Sequence, residues 1–212
     1  LCTGIVCLLF QAFLLFVAKR FQKFHHQPNK LIVITGLWGC LLGVVLLVKP
    51  EVLGIGHTIF EDAIQNSLPF IPAILILATR IPLSAVSYAT GAPGGLIVPA
   101  LLFGVLSGQA FSTSYAFIVG SVDADFHSVC LVAGMAASIG ALFRTPLTAT
   151  IMAVEITGAY DCLLEISIAY VAAHSLLGLA RQPDLYTALS RIHESHTAGQ
   201  AARIDAARPS IH

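Results

Sequence analysis

The chain has 212 residues, 57% of them hydrophobic and only 10% charged, and its mean hydropathy is +0.85. An average soluble domain carries about a quarter charged residues, so this composition excludes an ordinary soluble fold and points to an integral membrane protein. Eleven basic residues balance eleven acidic ones, and a neutral chain gives no footing for a nucleic-acid partner.

The only methionines are Met135 and Met152, and Leu1–Val17 lacks the basic flank and cleavage site of a signal peptide. We therefore expect a piece whose N-terminal part is missing. Leu1–Ala18 is almost wholly apolar and close to the length of one crossing. Leu31–Val48 is a second span, ended by Lys49-Pro50. The segment between them, Lys19 to Lys30, holds four basic residues and no acid, which places it on the cytoplasmic side by the positive-inside rule. The next loop carries Glu51, Glu61 and Asp62, and within it Thr58–Gln65 reads as a short surface helix.

Ile71–Tyr88 is the third span, with Pro72 in its first turn, where proline is tolerated. After a glycine- and proline-rich break, Ile97–Val119 forms the fourth. Val122–His127 bears Asp123 and Asp125 and reads as an outside loop. Val129–Leu142 and Leu147–Ile156 are each short for an upright crossing and are separated by Arg144-Thr145-Pro146, so a re-entrant pair is expected. Leu163–Ala180 is a further span, Arg181-Gln182-Pro183-Asp184 breaks it, and Leu185–Ile192 opens a last helix. The expected organisation is a transmembrane domain over 1–192 and a polar, poorly ordered cytoplasmic tail over 193–212. Spans of unequal length, interrupted by Gly and Pro, suit transporters and channels better than a uniform receptor bundle.

The break reads SYATGAPGGLIVPALLFG over Ser87–Gly104. A helix start leaves N–H groups unpaired and carries a partial positive charge. An unpaired N–H in hydrocarbon costs several kcal/mol. Gly91, Gly94 and Gly95 let the backbone approach a ligand closely, and Pro99 fits the first turn of a helix starting near Ile97. An anion on the N–H groups of Leu96 and Ile97 would satisfy them without a basic side chain. A plain Gly/Pro kink at a helix-packing contact is the alternative, and on these residues alone both stay open.

GAPGGLIVPALLFG resembles the G-x-F-x-P segment of the CLC chloride channels and chloride/proton antiporters. AGMAASIGALFRTPLTATIMAVE, over Ala133–Glu155, resembles the later helix pair of that family, and Pro183-Asp184-Leu185-Tyr186 the start of its last helix. The resemblance covers nearly the whole chain but only the C-terminal half of a CLC subunit. It implies an all-α, polytopic membrane fold with broken and re-entrant helices, the second half of an inverted repeat. It also implies that Leu96 and Ile97 donate backbone N–H groups, and Tyr186 its phenol, to a dehydrated chloride at mid-membrane. Ile97 stands where the family usually has phenylalanine; the contact is through backbone, so the substitution need not abolish binding. The resemblance further implies a homodimer built through segments 147–155 and 163–179, and a bacterial inner (plasma) membrane location. The family's serine-bearing anion loop and gating glutamate belong to the other half, so neither channel conduction nor proton-coupled exchange is assigned.

Other polar residues invite blander readings. Arg80, mid-span, is expected in an ion pair or snorkelling; Glu155 in helix packing or termination; and His174 as a hydrogen-bonded interhelical residue near the dimer interface. His193-Glu194-Ser195-His196 lacks metal-site spacing, no metal is expected, and chloride is the transported ligand rather than a cofactor. The five cysteines, Cys2, Cys7, Cys40, Cys130 and Cys162, are scattered and odd in number, and read as small buried apolar residues. An intramembrane enzyme would need a Ser/His or His/acid constellation, which Ser84, Ser87, Ser107 and His174 do not form. A folded but transport-inactive piece, acting only as a membrane or interaction partner, is the other alternative.

Overall fold

The computed structural model describes residues 1–21, 28–48, 69–90, 95–120 and 123–191. Seven α-helices with defined limits follow one another: α1 (Cys2–Phe21), α2 (Pro28–Val48), α3 (Phe70–Ala89), α4 (Ile97–Val119), α5 (Ala124–Phe143), α6 (Pro146–Thr157) and α7 (Leu163–Leu179). A single 3₁₀ turn, Tyr160–Cys162, leads into α7, and residues 185–191 form a last helical stretch, α8. Among the described residues there is no strand. Among the described residues six helical segments are long and apolar enough to cross a membrane, whereas α6, at 12 residues, is not. In hydrocarbon every backbone polar group must be paired within the chain, and uninterrupted helices achieve this locally.

Most sequence limits agree with these helices within a few residues, and Ile97–Val119 coincides with α4. One expectation is corrected. Val129–Leu142 is longer than expected: α5 starts at Ala124, takes up Asp125 and His127, and runs 20 residues. An acidic residue suits the positive end of a helix, so the segment read as an outside loop is largely the first turn of α5. The short α6 keeps its expected character, starting on Pro146 directly after the left-handed Arg144 (φ 55°) and Thr145. The expected helix over 58–65, the loop carrying Glu51, Glu61 and Asp62, and the tail over 193–212 lie outside the described residues.

The core is the crossing of α4 and α5. Of their apolar spans, 61% and 67% respectively are buried. Lipid is as apolar as leucine, so burial alone does not hold membrane helices together; close packing of small residues does. Gly104 and Gly108 on α4 face Cys130, Gly134 and Ser138 on α5, both sets at four-residue spacing. A Cβ on Gly104 would collide with the Gly134 carbonyl, and one on Gly134 with the Gly104 carbonyl. Buried hydroxyls add bonds between helices: Ser138 donates to the Ala100 carbonyl (2.7 Å), and Ser107 to the Thr3 hydroxyl of α1 (2.9 Å).

The periphery is different. None of the apolar span of α2 is buried, and a hydrogen bond from Trp38 to the Ser87 hydroxyl (3.0 Å) ties it to α3. Helices α6 and α7 present Leu147, Ile151, Leu164, Ile168 and Val171 outward.

Candidate functional site

Two helix starts make up the candidate site. The first follows the break. α3 closes on Thr90, whose N–H donates to Val86 (3.0 Å) and whose hydroxyl donates to the Ser87 carbonyl (2.7 Å). Gly91 and Gly94 lie outside the described residues. Among the described residues, a Cβ on Gly95 would meet nothing within 4 Å. Leu96 is the N-cap of α4, and among the described residues no side chain caps this end. The Leu96 side chain is buried, whereas Ile97 and Val98 are partly exposed, and Pro99 sits in the first turn, where it removes no helical hydrogen bond.

The second start is built in the opposite way. α7 ends in a Schellman motif: Gln182 N–H donates to Leu177 (3.2 Å), Arg181 N–H donates to Gly178 (2.9 Å), and Arg181 takes the left-handed conformation (φ 51°) more often given to glycine. The chain then runs through 182–184 into α8. Asp184 is its N-cap, accepting from the Thr187 N–H on Oδ2 (3.0 Å). That bond holds the Asp184 carboxyl below the usual carboxylate range. Two more clamps fix the same segment. Arg144 donates from Nη2 to the Gln182 carbonyl (2.8 Å), and Gln11 of α1 donates from Nε2 to the Pro183 carbonyl (2.6 Å).

Tyr186 follows two residues after the cap. Its ring stacks on Phe143 at 5.1 Å between centroids, and about half of the side chain is exposed. Among the described residues its phenol makes no hydrogen bond to a protein group. The two starts share one packing cluster: Leu96 and Leu185 are both buried in it, with Tyr88 and Phe143 against its edge. Tyr88 is the penultimate residue of α3. The fold therefore anchors the start of α4 and the start of α8 in common packing.

The blander candidates sort differently. Arg80 is buried, at 7% exposure. Glu155 is exposed near the end of α6, so a packing role for its side chain is not seen. Among the described residues His174 makes no hydrogen bond across helices. Its ring stacks on Tyr170 of the same helix at 5.4 Å, and its buried Nδ1 has no partner among the described residues. Cys7 is buried, whereas Cys2 and Cys40 are exposed, so the expectation of buried cysteines fails for those two. Ser107 bonds Thr3, and Ser87 accepts from Trp38; neither meets a histidine. Sequence reasoning missed Gln11, Arg144 and the capping role of Asp184. Only Asp184 carried a readable signal, as an acid directly before an apolar helical run.

Apolar helices of crossing length, a buried small-residue crossing at the centre, and a Gly/Pro interruption that starts a helix without a side-chain cap define a polytopic membrane protein with broken spans. The chain belongs to the voltage gated chloride channel (CLC) family, whose model matches residues 1–178. Over 202 residues it is 30% identical to the H(+)/Cl(-) exchange transporter ClcA of Salmonella paratyphi B and to that of Salmonella newport, covering 94% of this chain and 42% of each relative. ClcA of Salmonella agona is 29% identical over the same share. The chain thus spans less than half the length of these relatives.

Proposed function

We propose that the subunit carrying this chain moves chloride, or a similar small anion, across the membrane, and that α4 and Tyr186 supply part of the anion's cage. The observation that carries this is the start of α4 at Leu96, which no side chain caps among the described residues, in a chain of the CLC family. The N–H groups of Leu96 and Ile97 offer partial positive charge without a fixed cation. The Tyr186 phenol, which makes no hydrogen bond among the described residues, adds a neutral donor. Donors of this kind hold a dehydrated anion while still allowing release, which conduction or exchange requires. ClcA, by name a proton/chloride exchanger, supports chloride as the cargo. The exposed apolar faces of α6 and α7, over 147–155 and 163–179, support a homodimer through those segments. We place the protein in a bacterial plasma membrane with its C-terminal tail in the cytoplasm. The transport reading calls for no catalytic group and no cofactor beyond the anion.

The test is chloride flux and chloride affinity of the natural full-length chain, reconstituted in liposomes, against Tyr186→Phe. The variant keeps the ring stack on Phe143 and removes the donor. Chloride affinity should fall by about 3- to 10-fold, the size of one lost hydrogen bond. An unchanged affinity would remove Tyr186 from the site.

A further inference from the structure

Gln11 sits in the middle of α1 with no exposed surface, between Phe10 and residues that are otherwise apolar. A buried amide is costly unless both ends are paired. Here only one is: Nε2 donates to the Pro183 carbonyl at 2.6 Å, and Oε1 has no partner among the described residues. A leucine would fill a similar volume without leaving an orphaned acceptor, so the gain lies in what Nε2 holds.

Its target is a carbonyl that the fold leaves open. In a continuing helix the Thr187 N–H would donate to Pro183, four residues back. The Asp184 carboxylate takes that N–H instead, and the Pro183 carbonyl is freed for a donor from elsewhere in the chain. Gln11, 172 residues distant in sequence, supplies it. Pro183 lies three residues before Tyr186, and its own φ is fixed by its ring. A pull on this carbonyl therefore sets where α8 begins and where the tyrosine ring emerges. Arg144 holds the preceding carbonyl, but from an exposed position where water competes for the bond.

We propose that Gln11 is a positioning residue for Tyr186, fixing the start of α8 so that the phenol is aimed at the anion; this rests on the reading of Tyr186 as an anion donor. It acts through the Pro183 carbonyl and does not touch the ion. The experiment is a double-mutant cycle on the natural full-length chain in detergent, with chloride titrated calorimetrically and melting temperature recorded for each variant. Gln11→Met keeps the volume and removes the donor. Alone it should weaken chloride binding by about 5- to 10-fold. In the Tyr186→Phe background it should change affinity less than about twofold, because the group it aims is gone. If Gln11→Met leaves affinity unchanged, or weakens it by the same factor in both backgrounds, Gln11 has no positioning role and the amide is structural only. A merely structural amide would shift melting temperature without this dependence on Tyr186. If Gln11→Met does not fold, Gln11→Asn, one methylene short of reaching Pro183, carries the same cycle. The Tyr186→Phe arm is read first: no effect there overturns the anion assignment itself and takes this inference with it, whereas an effect there with additive Gln11 arms overturns the positioning role alone.

Discussion

The starts of α4 and α8 share a packing cluster but are finished in opposite ways. At α8 the chain supplies its own acceptor, the Asp184 carboxylate, and two more side chains, Gln11 and Arg144, pin the residues ahead of it. At α4, among the described residues, no side chain caps Leu96 and none lies within 4 Å of a Cβ on Gly95. A helix start that carries its own carboxylate is electrostatically answered and repels an approaching anion. One without a carboxylate attracts it. Under the proposed function the two starts do different work: α4 offers backbone charge, and α8 offers a mounted side chain.

The largest expected effect comes from making the first start resemble the second. Gly95→Asp places a carboxylate beside the α4 terminus, at a position where a Cβ meets none of the described residues and the backbone is not left-handed. At about 5 Å, a like charge in a medium of effective dielectric near 20 is repulsive by roughly 3 kcal/mol. Chloride affinity measured by calorimetry should drop at least about tenfold. The near-isosteric neutral variant Gly95→Asn should stay within about threefold of the parent. Equal losses in both would mean that shape rather than charge governs this end.

The converse change, Asp184→Ala, removes the cap of α8. It should lower unfolding stability by about 1 kcal/mol, measured by thermal melting. The pH dependence follows from the depressed carboxyl. Its folded pKa lies below the unfolded value of about 3.9, so the stabilisation is fully present above that value and is lost as pH falls through the folded pKa. Acid titration of the parent should show this loss below about pH 4, and Asp184→Ala should lack that component.

The smallest effect is expected at Ile97, where the family usually has phenylalanine. Ile97→Phe leaves the amide in place on a partly exposed side chain and should alter chloride affinity by less than about threefold. A larger change would show that this side chain, and not only its backbone, shapes the ion's surroundings.

The spans were legible because lipid demands apolar runs of one length, and α4 was read to its limits. α5 was cut short because hydropathy treats Asp125 and His127 as loop residues, although a first helical turn accommodates them. The break was also legible, since glycines and proline cluster inside an apolar stretch. The clamps on α8 were not. Gln11 looks like a stray polar residue in an apolar helix until the fold carries it to a carbonyl 172 positions away. The spacing of Gly104 and Gly108 was visible in the sequence, but its partner stripe on α5 gained meaning only once the two helices were seen to cross.

The glycine crossing also bears on movement. Helices whose backbones meet at Gly104 and Gly134 have no layer of side chains between them to act as a bearing. One cannot slide along the other by a turn without first lifting away. Arg144, just past the end of α5, is hydrogen-bonded to the strap that leads into α8. The crossing thus lies on one continuous stretch of packing between the two differently finished helix starts.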